Sequence, residues 1–289
     1  MRLTPILMTG LVVAACHTSP AVQKPKTTPA VVAASDPLID ALARESDRAT
    51  ARAKLEKRGV EAVPLLLANI TNNDSQIRWE VVNLLGAISD ARALNALAER
   101  AMLDLNPHIR WRSLWALSRV AKTPEIVNAL RPGLLNSNTA IRWNSAVALS
   151  FFDAPDAVSL LDDGVLNPEP FQRWEAINAL GRVHDARSLV VLRAALHSPS
   201  ARDRNEVVLT LGNIGGPEAV AMLIEALSDE SEGVRWRAAL ALSKAGDASA
   251  LPALRRVASG DPSETVRTEA AKTISRIEAA GARPGREKK

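Results

Sequence analysis

An arginine that recurs at a nearly constant interval limits the fold of this 289-residue chain more than any other sequence feature. Successive copies are 30 to 32 residues apart, and a leucine or isoleucine follows each copy seven positions later. The arginines are Arg48, Arg78, Arg110, Arg142, Arg173, Arg204, Arg235 and Arg267, and their partners are Leu55, Leu85, Leu117, Leu149, Leu180, Leu211, Leu242 and Ile274. A fixed period of about 20 to 50 residues predicts a fold that stacks copies of one supersecondary unit.

Each unit has the pattern of two helices joined by a polar turn, as residues 217–245 illustrate. Pro217 stands where the first turn of a helix tolerates a missing N–H, and apolar residues follow at helical spacing up to residue 227. Residues 228–233 form a turn rich in N-cap candidates, and a second apolar stripe starts at Val234. Gly246 then ends the second helix. The unit is therefore a helix pair.

Composition and charge agree with a helical chain and argue against nucleic acid as a ligand. Tyrosine is absent and phenylalanine occurs three times, whereas strands favour aromatic and β-branched residues. The formal net charge is +4, but much of the basic excess falls in the two terminal segments. A phosphate-binding surface needs clustered basic residues within the folded part, and none is apparent there.

The repeat resembles the HEAT-like family, in particular the short bacterial form first named for phycobilisome lyase subunits. The matching residues are Val234-Arg235, Ala238-Ala239, Ala241-Leu242 and Gly246-Asp247-Ala248, with equivalents in every unit. The resemblance covers about residues 37–280. It implies an all-α, right-handed α-solenoid of about seven to eight two-helix repeats with no strands, and we expect it to be monomeric.

The first residues have the pattern of an export signal that ends in a bacterial lipobox. Arg2 precedes a short apolar run, which is too short to span a bilayer, and Val13-Ala14-Ala15-Cys16 resembles the lipobox of bacterial lipoproteins. The resemblance implies that residues 1–15 are a lipoprotein signal peptide and that Cys16, the only cysteine, is acylated. The alternative is an ordinary signal peptide cut near Ala15.

Two further segments flank the repeats. Residues 16–36 contain the lipidated cysteine and several prolines without helical periodicity, which predicts an extended tether. His17 follows the lipid site where an acidic sorting residue would stand, so resemblance to known lipoproteins favours the periplasmic face of the outer membrane. Residues 281–289 are expected to form a basic, disordered tail.

Tryptophan directly follows five of the periodic arginines and marks a candidate ligand-binding ladder. These residues are Trp79, Trp111, Trp143, Trp174 and Trp236, and Trp115 adds a sixth. By resemblance, the second helix of each unit lines the concave surface of the solenoid. Trp79 with Asn83 and Trp174 with Asn178 resemble the Trp-x-x-x-Asn arrays by which armadillo-type receptors hold extended peptides. The alternative is that each tryptophan packs between repeats, and Asn205 interrupts the row.

The periodic arginines themselves are expected to be structural. A guanidinium group suits repeated pairing with a carboxylate or with carbonyl groups at a helix end. We expect Arg78, Arg110, Arg142, Arg173, Arg204, Arg235 and Arg267 to form such a ladder. Candidate carboxylate partners are Asp74, Asp229 and Asp261.

No motif for catalysis, metal binding or a cofactor stands out. The four histidines, His17, His108, His184 and His197, are not spaced to share a metal, and the single cysteine lies outside the repeats. His184-Asp185 falls in a turn between helices. We therefore expect a scaffold that binds another envelope protein or an extended peptide, touches the membrane only through its lipid and uses no cofactor. A lyase-like enzyme of the HEAT-like family and a cell-wall glycan binder remain as alternatives.

Overall fold

The computed structural model describes residues 36–281 and contains only helices and their connections over that range. The prediction of an all-α solenoid is confirmed. The predicted signal peptide, Cys16, nearly all of the tether and residues 282–289 lie outside the described residues. No helix within the described range is both long and apolar enough to cross a membrane.

Eight helix pairs follow one another through the described residues, at the upper end of the predicted number. The first helices are α1 (Pro37–Ala43), α3 (Val63–Asn69), α5 (Leu94–Leu103), α7 (Thr123–Leu130), α9 (Val158–Val165), α11 (Leu189–Ala195), α13 (Gly216–Ala226) and α15 (Leu251–Gly260). The second helices are α2 (Glu45–Arg58), α4 (Ser75–Ile88), α6 (Pro107–Val120), α8 (Thr139–Ser150), α10 (Pro170–Val183), α12 (Ala201–Ile214), α14 (Glu232–Ala245) and α16 (Glu264–Gly281).

Polar side chains cap the start of several second helices, including α4, α6 and α8. The side chains of Asp74, Asn106 and Asn138 accept hydrogen bonds from backbone N–H groups two residues later, at 2.7 to 2.9 Å. Such caps satisfy N–H groups that have no partner within the helix. His184 adopts a left-handed conformation and ends α10, so the predicted turn at His184-Asp185 is a helix terminus.

The leucines seven positions after the arginines form the centre of a continuous core. Those from Leu55 to Leu242 are each at most 1% exposed, and they belong to one cluster that extends along the whole stack. Ile274 of the last helix is only partly buried, because no further repeat within the described chain covers it. This gradient is what a nearest-neighbour repeat array requires.

The row of second helices is interrupted between α6 and α8. Helices α4 and α6 pack side by side, as do α10 to α16 in order. By contrast, α8 packs mainly against α5 and the 3-10 turns Arg131–Leu135 and Pro155–Ala157, and less against α10. The Asn144 amide donates to the Met102 carbonyl at 2.9 Å, and the Ser145 hydroxyl donates to the Leu130 carbonyl at 2.6 Å. Gly133 permits this approach, because a Cβ there would collide with Ser145. We call this interruption the row break.

Each periodic arginine from Arg78 to Arg267 holds the turn that precedes its own helix. Its Nη1 donates to the carbonyl oxygen six residues earlier, at 2.7 to 2.9 Å. Arg48 reaches the equivalent carbonyl of Leu42 with Nε at 2.9 Å. The guanidinium groups therefore satisfy carbonyl groups of the turn between the two helices of each pair.

Four of the arginines from Arg78 to Arg267 also pair with a carboxylate of the next repeat, and Arg48 lies 3.9 Å from the Glu80 carboxylate. Arg78 pairs with Asp104, Arg173 with Asp203, Arg204 with Asp229 and Arg235 with Asp261, at 2.8 to 2.9 Å. The Arg235 guanidinium holds the pKa of Asp261 below its usual value. Asp74 differs from expectation, because its carboxylate caps α4.

Three of the aspartates join two successive arginines. In Asp104, Asp229 and Asp261 the carboxylate accepts from the arginine of the preceding repeat, and the backbone carbonyl accepts from the arginine of the same repeat. We call this arrangement the arginine–aspartate bridge. It couples neighbouring repeats through a single residue.

Replacing Arg235 by alanine should lower the free energy of unfolding by about 3 kcal/mol, because it leaves the Asp261 carboxylate buried without its partner. The Arg235 side chain is 11% exposed and that of Asp261 is 5% exposed. Urea unfolding followed by circular dichroism measures the change. The matched control is Arg255→Ala, since Arg255 pairs with Glu278 on the surface and is 62% exposed. Equal losses in the two variants would contradict a structural role for the bridge.

Candidate functional site

All six tryptophans lie on second helices, and we call the side of the second helices that they mark the tryptophan face. Trp111 is 46% exposed and Trp115 is 39% exposed, whereas the other four are partly buried. The exposed pair lies on α6, directly beside the row break. The predicted ladder therefore divides into an exposed part at its centre and a packed part on both sides.

Among the partly buried tryptophans, Trp143 packs between repeats and Trp174 packs against its own helix. The indole N–H of Trp143 donates to Glu175 on α10 at 2.5 Å, and its ring fills the space beside Gly164 on α9. The ring of Trp174 lies against Phe171, with centroids 5.7 Å apart. Inter-repeat packing, the alternative interpretation of the ladder, thus describes Trp143 well. A glycine at residue 164 is required because any Cβ would overlap the Trp143 ring.

The two asparagines of the predicted peptide clamp are occupied within the chain, which corrects their assigned role. Asn83 is 6% exposed, its amide donates to the Trp79 carbonyl at 2.9 Å, and its side-chain oxygen accepts from Arg112. The Asn178 amide donates to the Trp174 carbonyl at 3.0 Å and to Glu206 at 3.2 Å. The Asn178 amide thus uses both of its N–H donors within the chain, and the Asn83 amide uses one and is nearly buried.

Five side chains around the row break form an aromatic and cationic surface, which we call the break cluster. Arg112 lies over the Trp115 ring, 3.6 Å from its centroid, and Arg182 lies 4.1 Å from the centroid of Phe151. Trp111 meets Phe151 edge to face, with centroids 4.7 Å apart. Burial lowers the pKa of Arg182 to about 10, so its guanidinium still carries its charge at neutral pH.

The break cluster provides two kinds of contact to a ligand. The ring faces of Trp111 and Trp115 offer rigid apolar area, and such residues are enriched where proteins bind one another. Arg112 and Arg182 are held in place by the aromatic rings beneath them, so little side-chain entropy would be lost on binding.

A cavity of about 460 Å³ opens between α8 and α10, next to the break cluster. We call it the junction cavity. Its lining includes Arg110, Arg142, Trp143, Phe171 and Glu175. Phe171 is 65% exposed and lies in the first turn of α10, three residues before Trp174, which places both on one side of the helix.

A second cavity of about 340 Å³ lies over α12, α14 and α16. Leu209 and Leu240 form its apolar floor, and Arg237, Lys244 and Arg276 surround it. Lys244 and Arg276 donate to the neutral groups of Asn213 and Ser243, at 2.9 and 3.0 Å. This end of the tryptophan face is therefore apolar with a cationic margin.

Sequence reasoning missed Phe151, Phe171 and Arg182. Phe171 could have been found, because its spacing from Trp174 places it on the same helix face. Phe151 and Arg182 approach Trp111 only because α8 has left the regular row, and no sequence spacing within one repeat signals that shift. Within residues 36–281 no group of three or more histidine, cysteine, aspartate or glutamate side chains is arranged to hold a metal ion.

The family profile described as HEAT repeats matches residues 35–118, 100–181, 167–233 and 189–275, which together span nearly all of the described chain. A sequence search of functionally characterised proteins finds no match.

Similar solved structures include YibA of Escherichia coli, which is 20% identical with a TM-score of 0.52 and covers 83% of this chain and 91% of its own. Human deoxyhypusine hydroxylase in complex with glycerol is 22% identical, with a TM-score of 0.39 and coverage of 83% and 96%. The CpcE–CpcF complex of phycocyanin lyase from Nostoc sp. PCC7120 is 19% identical, with a TM-score of 0.42 and coverage of 75% and 92%. At these identities the likeness concerns the fold alone.

Proposed function

The chain belongs to the HEAT repeat family, and from that premise we propose that it is a binding scaffold which holds an extended segment of another envelope protein on its tryptophan face. The observation that carries the proposal is the exposure of Trp111 and Trp115 at the row break. Trp111 meets Phe151, which lies under Arg182, and Arg112 lies over Trp115, so apolar and charged groups occur together on this surface. Large exposed aromatic surface framed by polar groups is typical of protein interaction sites.

The geometry favours an extended segment over a compact small ligand. The exposed aromatic surface continues from α6 through the junction cavity to Phe171 on α10, and a further apolar floor lies over α12 to α16. An extended peptide, which advances about 3.3 Å per residue, can pass over such a series of separate sites and place one or two side chains in each. Because Asn83 and Asn178 are bonded internally, we expect side-chain contacts to dominate recognition.

The proposal includes an anchor at Cys16 in the periplasmic leaflet of the outer membrane. It rests on the sequence, since Cys16 lies outside the described residues. The repeats would then act within the envelope, tethered by residues 16–36, without a catalytic or cofactor-dependent step of their own. Several acyl chains on one cysteine would give a stable attachment, whereas one chain binds only marginally.

Replacing both Trp111 and Trp115 by alanine should weaken binding of a selected peptide at least about ten-fold, because buried aromatic anchors supply much of the binding energy at such sites. The full chain is used to select binders from a displayed library of random peptides of 12 residues. The dissociation constant of the best peptide is then measured by fluorescence anisotropy. The matched control is Val190→Ala, an exposed aliphatic side chain on the first helix α11. Circular dichroism checks that all variants keep equal helicity.

Equal peptide affinity in the Trp111→Ala/Trp115→Ala variant and in the parent would contradict the proposed site. If the parent selects no peptide but binds soluble peptidoglycan fragments, and the double variant does not, the glycan alternative replaces the peptide scaffold.

Replacing Cys16 by serine should release the protein from the membrane fraction, because the thiol that accepts the lipid is removed. Fractionation of bacterial cells with detection of the full chain measures the shift. Mass spectrometry of the parent should find the mature chain starting at an acylated Cys16. A parent that is unmodified and free in the soluble fraction would favour the ordinary signal peptide.

A further inference from the structure

Two consecutive arginines depart from the pairing rule of the other repeats. Arg78, Arg173, Arg204 and Arg235 each direct Nε at a carboxylate of the following repeat. Arg110 and Arg142 keep the Nη1 bond to their own turn, but neither pairs with a carboxylate. Arg267 has no following repeat within the described residues, and Arg48 at the other end donates Nε to the Leu42 carbonyl, with the Glu80 carboxylate 3.9 Å away. The two exceptions therefore leave the Nε side of the guanidinium free in the middle of the stack.

The reason is a single change of side chain in each following turn. Residues 104, 229 and 261 are aspartates, whereas Asn136 and Asn167 occupy the equivalent positions, six residues before Arg142 and Arg173. An asparagine supplies no carboxylate, so the arginine of the preceding repeat, Arg110 or Arg142, loses its ion pair.

The turns themselves are unchanged by the substitution. The side-chain oxygens of Asn136 and Asn167 accept from the backbone N–H groups of Asn138 and Glu169 at 2.9 Å. The Asp229 carboxylate makes the same bond to the Ser231 N–H at 2.8 Å. The asparagines thus keep the hydrogen bond within the turn and lack only the negative charge. The difference between asparagine and aspartate at this position therefore affects the ion pair and not the turn.

Both unpaired arginines line the junction cavity. Trp143 and Phe171 contribute apolar surface to the same cavity, and Asn167 itself forms part of the wall. Asp163 and Glu175 also lie in the lining, and the Glu175 carboxylate already accepts from the Trp143 indole. Guanidinium groups with free Nε and Nη2 donors can bind a carboxylate through two parallel hydrogen bonds.

We propose that the junction cavity binds an acidic side chain of the partner segment, with its carboxylate on Arg110 and Arg142 and a neighbouring apolar side chain against Trp143 and Phe171. The partner's carboxylate would take the place that an aspartate of the next repeat takes elsewhere. The chain's own terminal segments do not suit the site, since Lys24, Lys26 and residues 283–289 give them a basic excess. This inference rests on the proposed function and specifies the chemistry of the partner.

The test restores the missing carboxylates in the full chain as Asn136→Asp/Asn167→Asp. The new aspartates should pair with Arg110 and Arg142 and so compete with the ligand. The matched control is Asn72→Asp, which makes the same change at the equivalent position before Arg78, away from the cavity. Melting temperatures measured by circular dichroism should not fall in the double variant, because it gains ion pairs that the other repeats possess.

The probe is the displayed library of random 12-residue peptides, followed by anisotropy on the tightest binder and on its copy with glutamine for glutamate or asparagine for aspartate. Peptides selected by the parent should be enriched in aspartate and glutamate next to apolar residues. The tightest peptide should bind the double variant about ten-fold more weakly, as loss of a charged hydrogen-bonded pair implies, and should bind Asn72→Asp as it binds the parent. The neutral copy of the peptide should bind the parent protein more weakly by a similar factor.

Absence of acidic enrichment, or equal binding by the double variant and Asn72→Asp, would overturn the inference. An arginine fork can bind a phosphate as well as a carboxylate. If a copy of the peptide with phosphoserine in place of glutamate binds more than about ten-fold tighter, the site prefers phosphate and the inference of a carboxylate ligand is overturned. If Trp111→Ala/Trp115→Ala abolishes binding but the asparagine variants do not, the scaffold function stands and only the acidic site fails. If the parent selects no peptide, both fail.

Discussion

The stack of helix pairs depends on one residue position, six places before each periodic arginine. Its backbone carbonyl accepts from the arginine of its own repeat, and where it is aspartate its carboxylate accepts from the arginine of the preceding repeat. Breaking such a largely buried pair leaves an uncompensated charge, which is far more costly than loss of a surface ion pair. The leucine core gives the repeats their common interior, and the arginine–aspartate bridge couples neighbouring repeats at Asp104, Asp229 and Asp261.

Asn72, Asn136, Asn167 and Ser198 stand where the bridging aspartate is missing, and two of these four positions, Asn136 and Asn167, lie beside the proposed binding surface. Asn136 and Asn167 remove two successive bridges, and α8, which lies between them, leaves the regular row to pack on α5. That displacement brings Phe151 to Trp111 and leaves Trp111 and Trp115 exposed. Local rules are commonly broken at functional sites, where stability is given up for an accessible or adaptable surface.

The fold could be predicted from the sequence because the same pattern of two helices recurs in every repeat unit. The period, the turn residues and the apolar stripe of each unit predict the same helix pair. A wrong assignment in one unit is therefore corrected by comparison with the other units. Asp229 and Asp261 were predicted as arginine partners from the same regularity, and each pairs with an arginine. The same prediction for Asp74 was wrong, because its carboxylate caps the N-terminus of its own helix.

The exposure of individual tryptophans could not be predicted in this way. Trp111 and Trp143 occupy equivalent positions, yet one is open and the other is packed, because their exposure depends on how the next helix is placed. Asn83 and Asn178 fit a known pattern by spacing, but their amides find nearer partners on their own helix and the next.

Hydrogen exchange at four equivalent backbone amides tests this account most directly. The N–H groups of Asn138, Glu169, Ser231 and Ser263 make the same bond to a side chain two residues earlier, but only the last two follow an aspartate that is bridged to an arginine. After correction for intrinsic rates, the account predicts faster exchange at Asn138 and Glu169, because their turns lack the bridge. Equal rates at all four amides would mean that the bridge does not control the stability of the stack.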